Sequence, residues 1–401
     1  MNHYRIGPPP RWWEPRLSPR FVRLTAGLRR KATRKLHCVV RMHVHNEAVV
    51  QDAIKAGKGV MITPNHSSHC DPHAIYDAAD IVGTPLFIMA TWHVFDFRKK
   101  LGQWMLQKIG CFSVDRDGAD MKAFKEAIRI MQQEPHPLVI FPEGEVYHCN
   151  EKATPFLEGP AVIASTAARK CDREMVIIPC AMKYDYVSDP TPELLKVMTR
   201  LERSISWRPR VHKELKDRIY DFSQAALALK EIEFFGEATH GTIPERVHKL
   251  SDAILAVHEK TRGIDIGEKP IPERVKEIRR RSVKDILNED DPLSDADRKK
   301  TFAQLDDAFL VGQLYSYPGN YVAEKPSVDR IAETIDKFEE DGLQLPTAAI
   351  RGQRECHVYF GEPIPISGDR KTRTAPAEVT RQMEQSVQAM LDGHKMADRG
   401  F

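Results

Sequence analysis

The chain has 401 residues with a net charge of +3, 41% of them hydrophobic and 29% charged. That is longer than a usual single domain and apolar enough to bury a core, so one core plus an elaboration is expected. Its longest apolar runs, such as Pro85 to Trp92, fall far short of a membrane-spanning helix.

The charge is unevenly placed. Residues 1–41 hold eleven Lys or Arg against one acid, Glu14, a net +10 that leaves about −7 for the remainder. Trp12, Trp13, Leu17, Phe21, Val22 and Leu24 interleave with Arg16, Arg20, Arg23, Arg29 and Arg30. The expectation is a basic amphipathic arm over 1–35 that meets an anionic membrane surface from one side. A disordered tail or a helix packed on the core is the competing reading. Nucleic acid is not expected, because no recognition motif accompanies the charge. Pro8-Pro9-Pro10 and Trp12-Trp13 fit a transit peptide poorly, and no segment suits a signal peptide.

Beyond the arm, apolar runs alternate with helical spacings. Strands are predicted at 38–45, 59–63, 85–90, 111–115, 137–141 and 175–183. Met121, Phe124, Ala127, Ile128 and Met131 have helical spacing, as do Ala161, Ile163, Ala164 and Ala167. The pattern is an α/β sheet with crossover helices. Such sheets keep their sites at strand ends, and there the polar strings collect. Asn65-His66-Ser67-Ser68-His69-Cys70-Asp71-Pro72 follows the second strand, with four residues between His66 and Asp71. Asp71-Pro72 reads as an N-cap and first helical position, so the carboxylate can turn back to the imidazole. An Asp on one ring nitrogen fixes the tautomer and leaves the other to take a proton. The competing reading is a satisfied turn and a helix cap. Further on come Gly110 to Arg116, Phe141-Pro142-Glu143-Gly144, and Val176-Ile177-Ile178-Pro179.

In order and spacing these four strings resemble the glycerolipid acyltransferases of the lysophosphatidic acid acyltransferase type. The resemblance spans roughly residues 36–190, and Val358 to Ile364 looks like the family's closing strand, displaced down the chain. It implies a mixed sheet flanked by helices. It also implies transfer of a fatty acyl chain from acyl-CoA or acyl carrier protein to a hydroxyl of a glycerophospholipid-type membrane lipid, in phospholipid biosynthesis. His66 would be the general base and Asp71 its stabiliser, with no covalent intermediate, cofactor or metal. Arg116, Glu143, Gly144, Asn65 and Pro179 would contact substrate or shape its site. For Glu143 a bond within its own turn is an equal reading, and Gly144 is expected to need a positive φ or a close backbone approach. For Arg116 the competing reading is a solvated pair with Asp115. The chain departs from the family at Glu145-Val146, where Thr or Ser and then Arg are usual. It departs again at Phe156-Leu157-Glu158-Gly159, where a Lys is usual. A carboxylate at 145 opposes a dianion, which widens the range of acceptors.

Two other classes use the same residues. His66, His69, Cys70, Asp71 and His73 are all potential zinc ligands, as in a metal-dependent hydrolase. A non-catalytic lipid-binding protein of the same fold is the other.

From about residue 191 the texture becomes charged and amphipathic, with helices marked by Leu194, Leu195, Met198 and Leu201, then Ile219, Phe222, Ala226 and Leu229. Ile-Pro-Glu-Arg-Val occurs at 243–247 and again at 271–275, as two helix entries. Sheet texture returns at Glu355 to Ile366, and Val379, Met383, Val387 and Leu391 mark a last helix. The expected organisation is a core over 36–190, a helical insertion over 191–350, and a closing strand and helix over 351–401. A separate C-terminal domain is the alternative. Seven cysteines without paired spacing point to a reducing compartment, the cytoplasm or its membrane face.

Overall fold

A computed structural model describes residues 12–116, 120–265, 269–317 and 319–395. Residues 1–11 of the predicted arm, among them Pro8-Pro9-Pro10, lie outside them. Compactness divides the chain into two units. Among the described residues, one comprises those up to Asp189 together with those from Ile350 onward, and the other those of Pro190–Ala349.

The first unit is built on one mixed sheet. Its strands are β1 (Val39–His45), β2 (Gly59–Pro64), β3 (Phe87–Thr91), β4 (Cys111–Val114), β5 (Leu138–Val139), β6 (Met175–Tyr186), β7 (Arg354–Phe360) and β8 (Ile364–Ile366). They lie in the order β1-β7-β6-β2-β5-β3-β4, with β8 also on β6. From β6 to β4 the pairs are parallel, whereas β7 meets β6 antiparallel and β1 parallel. The return of sheet texture after residue 350 is therefore the closing strand of this sheet, inserted between β1 and β6.

Every residue of β2 and β6 is buried, because helices cover both faces. Val60, Ile62, Val176, Ile178 and Met182 pack with Ile75, Ala78 and Ala79 of helix Asp71–Val82 on one face. Met61, Met175 and Ile177 face the other way, against Ala127 and Met131 of helix Met121–Gln133 and Met383 and Val387 of helix Pro376–Asp392. β5 is shorter than predicted: after Val139 the chain leaves the sheet for the Pro142-Glu143-Gly144 turn. Gly110 is required at φ +91°, where an added Cβ would sit 2.3 Å from the Leu86 carbonyl oxygen.

The arm turns out to be divided. Trp13 stacks on Phe95 at 5.1 Å and exchanges backbone and side-chain hydrogen bonds with Ser113. Trp12 meets Phe112 edge-on, and Leu17 and Val22 are also turned inward. These apolar residues belong to the core rather than to a membrane face. Only part of helix Pro19–His37 points away, with Leu24 85% and Leu28 62% exposed.

The second unit consists of helices over the described part of 190–349, with Leu250, Ile254, Ile278, Ala308 and Val311 among its core. The repeated pentapeptide has a structural meaning here. Both copies open a helix, Ile243–Arg262 and Ile271–Ile286. In each the arginine grips a glutamate fifteen residues earlier with a bidentate pair: Arg246 holds Glu231 at 2.9 and 2.6 Å, and Arg274 holds Glu259 at 2.7 and 3.1 Å. The repeat is a device for fastening consecutive helices.

Candidate active site

β6 is twice as long as β2, so beyond Pro64 its edge presents backbone groups with no strand to pair them. Two asparagine side chains fill the vacancy. Asn65 donates to the Met182 carbonyl at 3.1 Å and accepts from the Met182 N–H at 2.7 Å. Asn150 does the same for Tyr184, at 2.6 and 2.7 Å. Each amide reproduces the donor and acceptor of a strand neighbour. Asn65 is wholly buried, and these bonds anchor the start of the following loop.

That loop sets His66 against Asp71. Their Nδ1–Oδ2 distance is 2.9 Å. Asp71 is fully buried and does not cap its helix: the residue before the helix is Cys70, with no side-chain cap bond. The carboxylate turns upstream instead, taking the Ser68 N–H on Oδ2 at 2.9 Å and the Tyr184 hydroxyl on Oδ1 at 2.7 Å. Tyr184 is itself fixed by Asn150 and by the Arg354 guanidinium, 5.1 Å from its ring centre. Phe141 stacks on the imidazole at 4.3 Å. Nε2 of His66 makes no hydrogen bond among the described residues, and the side chain is 15% exposed. A ring so held, with an ionised partner on Nδ1, can accept a proton on Nε2.

Glu143 supports the loop from behind. Its Oε1 accepts the His66 N–H at 2.9 Å, and its Oε2 accepts the Thr154 hydroxyl. With 4% exposure, both of its oxygens are engaged within that turn. Burial pushes its carboxyl up to about 8, against the opposing hydrogen bonds from Thr154 and His66. The folded protein thus holds a proton here that the unfolded chain has released above about 4.5. Stability from this group is complete below about 4.5 and is lost as pH rises through about 8. In Glu143→Gln the amide oxygen still meets the His66 N–H and the amide nitrogen can donate to Thr154. Thermal melts across that window should therefore slope less steeply with pH for the variant, and equal slopes would refute the assignment.

Gly144 adopts φ +79°, closing the turn on the Phe141 carbonyl at 3.2 Å. Arg116 donates to the Gly144 carbonyl and pairs with Glu145 at 3.0 Å, while 30% of its side chain remains exposed. The guanidinium thus sits at the site with its charge already opposed. Pro179 is buried in β6, opposite Thr63, where β6 changes partner from β8 to β7. Three residues, Gly361 to Pro363, bulge there past two of β6. The strand needs no N–H at that point, so proline is tolerated in a central strand, and its carbonyl accepts from Gly361 at 2.8 Å. Its place in the structure is one of shaping the sheet.

The five potential zinc ligands of 66–73 do not converge. Among the described residues no three of their ligand atoms lie close enough to share an ion. Cys70 is fully buried, and burial pushes its thiol up to about 12, which disfavours the thiolate a metal needs. His73 packs on His37, and His69 on His148.

Tyr184, Thr154 and Asn150 were not singled out in the sequence. Only alternation along β6 signals Tyr184, since it places the even positions from Val176 to Tyr184 on the face that receives Asp71. Residues 41–183 match a family model described as Acyltransferase. A comparison with curated proteins returned no match.

Proposed function

Since residues 41–183 make this enzyme an acyltransferase of the glycerolipid acyltransferase family, we propose that it moves a fatty acyl chain from the thioester of acyl-CoA or acyl carrier protein to a hydroxyl of a glycerophospholipid-type acceptor, in phospholipid biosynthesis. His66 Nε2 takes the hydroxyl proton as the oxygen attacks the thioester carbonyl. The tetrahedral intermediate then expels the thiolate, which receives the proton from the imidazolium. Asp71 holds Nδ1–H and offsets the imidazolium charge, and the Ser68 N–H and Tyr184 hydroxyl aim its carboxylate. No protein nucleophile, cofactor or metal enters this scheme. The observation that carries it is the buried Asp71 carboxylate on Nδ1 with Nε2 left to the site.

Glu145 refines the acceptor. A phosphate monoester arriving at Arg116 competes with a carboxylate already 3.0 Å away. This favours acceptors with less negative charge at that point than lysophosphatidic acid carries. Glu145→Gln should lower the KM for a phosphate-monoester acceptor by about tenfold while kcat changes little. Steady-state kinetics with that acceptor and with an uncharged-headgroup analogue would decide it. An unchanged KM would place the anion contact elsewhere.

The acceptor also has to be met where it resides. Among the described residues no helix is long and apolar enough to cross a membrane. Helix Pro19–His37 instead holds its inner face through Val22, Thr33 and an Arg29–Asp80 pair at 2.8 Å. It leaves Arg20, Leu24, Leu28, Lys31 and Lys35 along the opposite face, a stripe suited to peripheral binding at an anionic, cytoplasmic membrane face. Co-sedimentation with anionic against zwitterionic vesicles tests this, and equal recovery from both would count against it.

A further inference from the structure

The face of the sheet turned away from Asp71 carries a second cluster. β1 contributes His43 and His45, β7 contributes Glu355, His357 and Tyr359, and β6 contributes Lys183 and Asp185, in mutual register. His394, two residues past helix Pro376–Asp392, lies against them. His394 Nε2 stands 2.7 Å and His357 Nε2 3.7 Å from the same oxygen, Asp185 Oδ2, and all three ligand atoms lie within 4.8 Å of one another. The other nitrogen of each ring is already engaged: His394 Nδ1 with the Tyr359 hydroxyl at 2.7 Å, His357 Nδ1 with His45 Nε2 at 3.2 Å. Imidazoles that bind a metal through one nitrogen commonly donate from the other to an outer partner. With a proton on each Nδ1, two nitrogen lone pairs and a carboxylate oxygen converge on one point, an arrangement that calls for a cation.

We propose that Asp185, His357 and His394 form a binding site for a divalent transition ion of the zinc class, with Tyr359 and His45 orienting the two imidazoles and a fourth position left to water. Two imidazoles and a carboxylate are an ordinary zinc donor set. Ligand atoms on a tetrahedral zinc, at bonds of about 2.0–2.1 Å, stand roughly 3.3 Å apart, and the distances of 2.7 and 3.7 Å bracket that value. Lys183 lies 3.2 Å from the other oxygen, Oδ1, and shares its charge with Glu151 at 3.6 Å. The neighbouring trio His43, Glu355 and His357 is the weaker candidate, because Arg41 pairs with Glu355 at 2.7 Å, closer than Lys183 stands to Asp185, and because His357 Nε2 also faces Asp185. His43, 32% exposed, marks the way in from solvent. An ion here would tie the chain beyond the last helix to β6 and β7, one residue along β6 from the Tyr184 that holds Asp71.

The test is titration of the full-length, chelator-stripped protein with Zn2+, followed by calorimetry and equilibrium dialysis. One tight equivalent per chain is expected. His394→Ala and His357→Gln should each weaken it at least 100-fold, and Tyr359→Phe, which keeps every ligand, about tenfold. His69→Ala should leave it unchanged. Circular dichroism of each variant guards against misfolding, and if His394→Ala does not fold, His357→Gln and Tyr359→Phe decide the matter. The absence of a stoichiometric equivalent in the wild-type protein would overturn the proposal. So would binding that survives the His357 and Tyr359 substitutions or is lost with His69.

Discussion

Replacing His66 with alanine is expected to lower kcat for acyl transfer on the order of 10³-fold or more, with the fold intact. The fold should survive because, among the described residues, the imidazole supplies a stacking contact to Phe141 and one hydrogen bond. Asp71 retains the Ser68 N–H and the Tyr184 hydroxyl, so no buried charge is left bare. Asp71→Asn should also lower kcat, by a different route. Its amide oxygen takes the place of Oδ2, accepting from the Ser68 N–H and from Nδ1–H, and its nitrogen faces the Tyr184 hydroxyl, so the ring keeps its tautomer but loses the negative charge that stabilises the imidazolium. Thioester cleavage and label transfer to a panel of lyso-lipid acceptors measure both. Turnover near normal in His66→Ala would remove the general-base role, leaving the acyltransferase domain without its assigned base.

In the helical unit the largest loss of stability is expected from Arg218→Ala, about 3–5 kcal/mol. Glu202 is fully buried, and Arg218 grips both its oxygens, at 3.0 and 2.7 Å, while also donating to Thr199 at 3.0 Å. Truncating the arginine leaves a buried carboxylate with, among the described residues, the Arg210 N–H at 3.2 Å as its remaining donor. The double replacement Arg218→Met with Glu202→Leu should be close to neutral, since it removes both charges and keeps the volume. Urea unfolding of the three proteins reads the difference, and a loss below about 1 kcal/mol in the single variant would show that water or another cation reaches Glu202.

How much of this was legible depended on how local the physics was. The strand at 175–183 could be read because both its faces are buried, and such a strand is an unbroken apolar run. The His66 and Asp71 pairing was legible because five positions of chain can close on themselves at a strand end. The expectation that Asp71 caps its helix failed for the same region, since Tyr184, more than a hundred residues away, offers its carboxylate a second donor. Asn65 and Pro179 lie within recognisable strings, yet their work is to complete or interrupt the pairing of β6. Trp12 and Trp13 read as membrane anchors because alternation with arginine looks alike whether a tryptophan meets lipid or Phe95 and Phe112. In the helical unit, Glu202 falls on the same helix face as Leu194, Met198 and Leu201, so its burial could be suspected, but nothing local names Arg218 as its partner.

By itself, then, the sequence determined the alternation of strands and helices, the helical stretch before the closing strand, and the His66–Asp71 motif. All of these rest on periodicity, turn chemistry and short-range closure. Only the tertiary structure decided that Glu143 props the His66 loop, that Arg116 is already opposed by Glu145, and that histidines from β1, β7 and the chain end gather around Asp185. Contacts between distant segments arise from how a twisted sheet brings its strands into register, and no window of local sequence carries that information.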